Sequence, residues 1–162
     1  MDGFHLTNSE LAARGWTHQK GEPHTFDRDA FVSTLRQLRS SRDVHSAPGY
    51  DRNLHEPVPG GARFGPETVI VITEGNYLLL DDWPQVRSCL DEAWYLHADR
   101  ELIAKRLYER HVRGGKSPDV ARRKVETSDL ANADLVAATA SRADLVLAEQ
   151  AGTYRLLKPY GQ

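Results

Sequence analysis

Val69-Ile70-Val71-Ile72-Thr73-Glu74-Gly75-Asn76-Tyr77 decides the reading of the fold. Four consecutive β-branched residues without polar alternation describe a strand buried on both faces, as in a parallel sheet. The run ends in a carboxylate and a glycine. In open α/β sheets ligands bind beyond the carboxyl ends of the strands, and a glycine there lets backbone or ligand approach closely. Glu74 is therefore a candidate acid at a magnesium-linked phosphate site. Taken alone, so short a pattern reads more simply as a glutamate capping the next turn.

Further apolar runs at 93–96 and 145–147 supply two more strands. Helical patterns lie between and before them. Residues 27–40 start at Asp27 as N-cap and repeat Phe31, Leu35 and Leu38 on one face. Residues 99–112 start at Asp99, with Leu102, Ile103, Leu107 and Tyr108 as the apolar stripe. Ser117-Pro118-Asp119 combines an N-cap, a proline at the first helical position and an acid favoured by the helix dipole. That helix continues with a break to about Ser141. Residues 41–67, rich in proline and glycine, read as loop with a short extended piece. Strands alternating with helices predict an α/β domain with a mostly parallel sheet flanked by helices. The 162 residues suit a single domain, 1–162.

Two other clusters carry charge. Arg106, Arg110 and Arg113 fall on one helical face, and Lys116 follows a Gly114-Gly115 hinge. Such cations could close over phosphates, although a run of this kind is usually a solvated face. At the start of the sequence, Asp2 beside Gly3 could serve as a general base toward a hydroxyl, although locally it reads as a frayed end.

Composition excludes several classes. Twenty-one Lys and Arg against twenty-three Asp and Glu leave a charge of -2, which argues against general nucleic-acid or membrane-surface binding. No apolar run reaches the roughly 20 residues needed to span a bilayer, and no signal peptide precedes the first helix, so a soluble cytoplasmic protein is expected. With Cys89 alone there is no internal disulfide. The histidines follow no metal-ligand spacing, and His18, His24, His45 and His55 read as surface or loop residues. No GxSxG elbow supports hydrolysis.

In order along the chain, MDGFHLTNSELAARG, KGEPHTFD, APGYDRNLHEPV, VIVITEGNYLLL and RLYERHVRGGKSP resemble the P-loop kinase family of uridine kinase, bacterial pantothenate kinase and phosphoribulokinase. Within it the likeness leans to nucleoside/nucleotide kinase and fructose-transport kinase-like proteins, over residues 1–148. The resemblance implies a P-loop NTPase-type α/β fold and transfer of the γ-phosphate of ATP, with Mg2+, to a hydroxyl of a nucleoside, a pantothenate-like compound or a sugar. It implies Asp2 as catalytic aspartate and Glu74 as the acid ending the Walker B-like strand, both candidate Mg2+ ligands. His5, Tyr50, Asp51, Asn76 and Tyr77 would enclose the acceptor, and Arg110, Arg113 and Lys116 would contact phosphates from a lid-like segment at about 106–128. This order reverses the plainer readings of Asp2 and Glu74.

The family's GxxxxGK[ST] loop does not occur in these residues; neither Gly60-Gly61 nor Gly114-Gly115 carries the lysine and hydroxyl that the motif requires. The expectation is a domain whose first βα unit lies upstream of Met1, in a piece of at least about 30 residues. ATP affinity of the residues given should be no tighter than ~1 mM. The rival expectation is a non-catalytic binding or regulatory relative that keeps the acceptor pocket without ATP. A small-molecule partner is expected, nucleic acid and membrane are not, and a homodimer is left open.

Overall fold

A computed structural model of the chain describes residues 1–150 and 152–158. They group into two compact units, Met1–Leu90 and Asp91–Gln162.

The first unit opens with a 3-10 turn, Asp2–Phe4, and helix α1, Asn8–Ala13. Helix α1 starts with a reciprocal capping box. Thr7 Oγ1 accepts from the Glu10 amide, and the Glu10 carboxylate accepts from the Thr7 amide at 2.8 Å. The T-x-x-E spacing is the local sequence signal for this start. Helix α2, Arg28–Ser40, forms as expected, with Asp27 Oδ1 accepting from the Ala30 amide at 2.9 Å. Its apolar face buries Phe31, Val32 and Leu35, and Phe31 meets the Phe4 ring at 5.0 Å.

Residues 41–67, expected mainly as loop, instead hold a long antiparallel hairpin: β1, His45–Asp51, and β2, Glu56–Phe64. The glycines that suggested loop are where the two strands meet most closely. A Cβ on Gly61 would stand 2.2 Å from the Gly49 Cα, so only glycine permits the crossing. The register shifts between Ala47 and Gly49, which gives Pro48 a place outside the regular ladder.

The run that decided the reading behaves differently. Val69–Ile72 belongs to neither sheet, and Val69, Ile70 and Ile72 are each at least 75% exposed. A doubly buried strand exists only through hydrogen bonds to neighbours on both sides and cover on both faces. Among the described residues no strand lies beside this one. Downstream, Tyr77, Leu79, Leu80, Trp83 and Val86 of helix α3, Pro84–Arg87, are buried in the unit's core.

In the second unit β3, Trp94–His97, runs parallel to β4, Leu145–Gln150, as the α/β reading requires. β5, Thr153–Lys158, adds antiparallel to β4. Asp144 Oδ2 accepts from the Ala93 amide at 2.7 Å and so holds the two parallel strands at their start. Helix α4, Arg100–Arg113, begins after Asp99, and α5, Pro118–Lys124, begins after Ser117. The break in the long helical pattern is one π-type turn, Val125–Asp129, before α6, Leu130–Ala137. The α/β class holds, and the sheet of this unit is mixed, one parallel and one antiparallel pair, where a mostly parallel one was expected.

Candidate active site

In the first unit, two short acid–glycine motifs far apart in sequence come into contact. The Met1 amine donates to the Glu74 carbonyl at 2.6 Å across 73 residues. Both glycines sit in close contacts, Gly75 against the flexible Met1 side chain and Gly3 against backbone, where only glycine fits. A Cβ on Gly75 would lie 2.1 Å from Met1 Sδ, and one on Gly3 would lie 2.1 Å from the Pro48 carbonyl oxygen. The Asp2–Phe4 turn is thus wedged between the segment after Glu74 and the β1–β2 hairpin.

Asp2 presents a side chain 42% exposed, and its Oδ2 accepts from Arg52 Nη2 at 3.3 Å. Arg52 was not expected at the site; only its place on the hairpin turn brings it there. His5 Nδ1 lies 2.7 Å from the Asp2 carbonyl. A carbonyl can only accept, so Nδ1 carries the proton and Nε2 of the neutral ring is an acceptor. Burial pushes the His5 imidazole below its ordinary value, opposed by that hydrogen bond and by the Asp2 charge. The ring packs on Phe26 at 4.0 Å and on Tyr50 at 5.0 Å. Burial, and then the Asp2 and Glu56 charges, raise the Tyr50 phenol above its usual range, so it stays a protonated donor.

The remaining expected residues take varied positions. Glu74 extends its carboxylate into solvent, 87% exposed, and Asn76 is exposed as well. Asp51 forms the turn: its Oδ1 accepts from the Asn53 and Leu54 amides at 2.8 and 3.0 Å, which holds its carboxyl below the usual range. Tyr77 is 1% exposed, with its hydroxyl donating to the Gly21 carbonyl at 2.6 Å. Its place is in the core, against Phe26 and Trp83.

Asp2 and Glu74 are hard oxygen donors on touching segments. Oxygen donors of this type are what Mg2+ takes, one or two carboxylates with water and phosphate oxygens for the rest; among the described residues no group of three or more possible metal ligands forms.

In the second unit, Arg110 and Arg113 close helix α4, and Lys116 follows the glycine pair, with Gly115 at φ 87°. All three side chains are exposed, without an ion-pair partner among the described residues. Arg106, on the same face, instead pairs with Glu149 at 2.7 Å. Between Arg110 and Arg113, His111 turns inward. Its Nε2 meets Asp129 Oδ2 at 2.5 Å, with side chains only 10% and 13% exposed. The π-type turn carries Asp129 to this point, and no local motif signalled it.

No family model matches the chain. Individual proteins do. The chain is 34% identical over 146 residues to an ATP-dependent kinase-like protein, notR', of Aspergillus versicolor, covering 83% of this chain and 85% of that protein. It is 31% identical over 160 residues to a candidate uridine kinase of Schizosaccharomyces pombe, covering 91% and 66%. It is 35% identical over 103 residues to the pantothenate kinase of Mycolicibacterium gilvum, covering 63% and 33%. The chain thus spans a third to two-thirds of the last two. Among solved structures, it superposes with TM-score 0.83 and 34% identity on a candidate fructose transport system kinase from Silicibacter sp. TM1040, over 90% of this chain and 71% of that one. The YFH7 structure from Saccharomyces cerevisiae, at TM-score 0.78 and 24% identity over 92% and 56%, shares the fold. With a relative 34% identical across 85% of its length, the chain belongs to the P-loop kinase family that includes the uridine and pantothenate kinases.

Proposed function

We propose that the chain carries the acceptor side and lid of an ATP-dependent small-molecule kinase, which transfers the γ-phosphate to a hydroxyl of a nucleoside, a pantothenate-like compound or a sugar. The observation that carries the reading is the contact of the Asp2–Gly3 turn with the Glu74–Gly75 segment across 73 residues. It joins a half-exposed carboxylate suited to proton removal with an exposed one suited to Mg2+.

The acceptor oxygen attacks the γ-phosphorus, its proton passes to an Asp2 carboxylate oxygen, and the bond to the β,γ-bridging oxygen breaks to release ADP. Arg52 orients the Asp2 carboxylate. Tyr50 and His5 form the wall beside it, with the Tyr50 hydroxyl as donor and His5 Nε2 as acceptor for a polyhydroxyl or amide-bearing substrate. Glu74 and Asp2 would hold Mg2+, which would neutralise charge on the phosphates. In the second unit, Arg110, Arg113 and Lys116 are exposed cations of the kind that binds phosphate.

The test is a screen of uridine, pantothenate and fructose with Mg-ATP, on a form that also carries a GxxxxGK[ST] loop and on its Asp2→Asn variant. Asp2→Asn should lower kcat by about 10²–10⁴-fold with little change in ATP affinity. An effect under about threefold refutes the base assignment. The rival is an acceptor-binding relative that transfers no phosphate. Acceptor binding by calorimetry without turnover in that loop-bearing form would establish it.

A further inference from the structure

Lys20 has no role in the site just described, yet its ammonium is committed to three groups. Nζ donates to Asn8 Oδ1 at 2.6 Å and to the His55 carbonyl, and it lies 5.6 Å from the centroid of the Tyr50 ring. A surface lysine is ordinarily a mobile, hydrated charge. Here burial lowers its pKa, and only the Glu56 charge opposes that.

The group that it grips is unusual. His55 is the one residue other than glycine with positive φ, 53°, among the described residues. Such a conformation persists only where surroundings hold it, and it recurs at functional sites. A second tie lies beside it: the Asn8 amide donates to both Glu56 oxygens, at 2.9 and 3.2 Å. The start of α1 and Lys20 thus grip the two residues that close the hairpin turn. On its other side that turn carries Tyr50, which packs on His5, and Arg52, which reaches Asp2.

We infer that Lys20 is a positioning residue for the acceptor site, fastening the hairpin tip to the start of α1 so that Tyr50 and Arg52 stay over His5 and Asp2. The substrate it serves rests on the proposed function; the fastening does not. A neutral side chain at this position removes charge-assisted hydrogen bonds, which are about twice as strong as neutral ones. The tip then samples open positions more often, and the acceptor meets a complete wall in a smaller fraction of molecules.

The experiment compares the wild type, Lys20→Met and Lys20→Arg in two measurements. Amide hydrogen exchange reads residues 52–56, with α2 as the internal control for folding. Calorimetry without ATP reads the binding of uridine and pantothenate as probes. Lys20→Met should speed exchange at the tip by about tenfold, the equivalent of about 1.4 kcal/mol, and leave α2 unchanged. It should weaken probe binding by a similar factor, and Lys20→Arg should recover most of both. Unchanged exchange at the tip overturns the inference. So does weaker probe binding without faster exchange, which would make Lys20 a direct substrate contact. Faster exchange in Lys20→Met, with neither probe bound by the wild type, keeps the fastening and removes the proposed acceptors.

Discussion

Replacing Tyr77 with phenylalanine separates two roles that the sequence left together. The resemblance places Tyr77 beside the acceptor, whereas the fold buries it to 1% exposure with its hydroxyl 2.6 Å from the Gly21 carbonyl. Phenylalanine keeps the ring against Phe26 and Trp83, so the apolar contribution should hardly change. What is lost is a part-buried neutral hydrogen bond, worth about 0.5–1.5 kcal/mol net, with a further cost for leaving the carbonyl short of a donor. A loss of about 1–2 kcal/mol follows. For a chain of this length that lowers Tm by roughly 2–8 °C. Urea and thermal unfolding followed by circular dichroism measure the change, and acceptor binding by calorimetry runs beside them. A core role predicts the stability loss with acceptor Kd within about twofold. A variant as stable as the wild type but with Kd raised tenfold would falsify the core assignment and return Tyr77 to the substrate.

Gly61→Ala should cost about 1–3 kcal/mol, because its Cβ would strike the Gly49 backbone, and urea unfolding should show a larger loss than for Gly60→Ala, which meets open space at φ 67°. Equal losses would mean that the strands do not cross there. A double-mutant cycle of His111→Ala and Asp129→Ala should give a coupling energy of about 1.5–3 kcal/mol in unfolding, since the pair is buried at 2.5 Å; additivity within 0.5 kcal/mol would dissolve the pair. His5 sits below its ordinary 6.5 when folded, so the unfolded chain binds more protons between the folded value and 6.5. Stability should therefore fall as pH drops through that window, and His5→Gln should flatten this slope in pH-dependent unfolding; an unchanged slope assigns the protons elsewhere.

Caps and local periodicity were legible because their physics is local. Asp27 needs only the amide three residues on, Ser117-Pro118 needs only the geometry of the first turn, and both helices begin where these residues stand. The parallel pair of β3 with β4 was legible too, since alternating strand and helix patterns leave few other arrangements. The acid–glycine motifs at Asp2 and Glu74 were visible as chemistry once their order along the chain was read. Strand formation was not legible in the same way. Val69–Ile72 has every local mark of a buried strand and carries no ladder, while the glycine-rich 45–64 segment has few such marks and pairs along its length. A strand's hydrogen bonds are made to another segment, so its existence depends on a partner rather than on its own residues. For the same reason only tertiary structure brought Arg52 to Asp2, sent Tyr77 into the core and set Asp129 against His111. Each of these contacts closes a loop of 18 to 56 residues, beyond the reach of any local pattern.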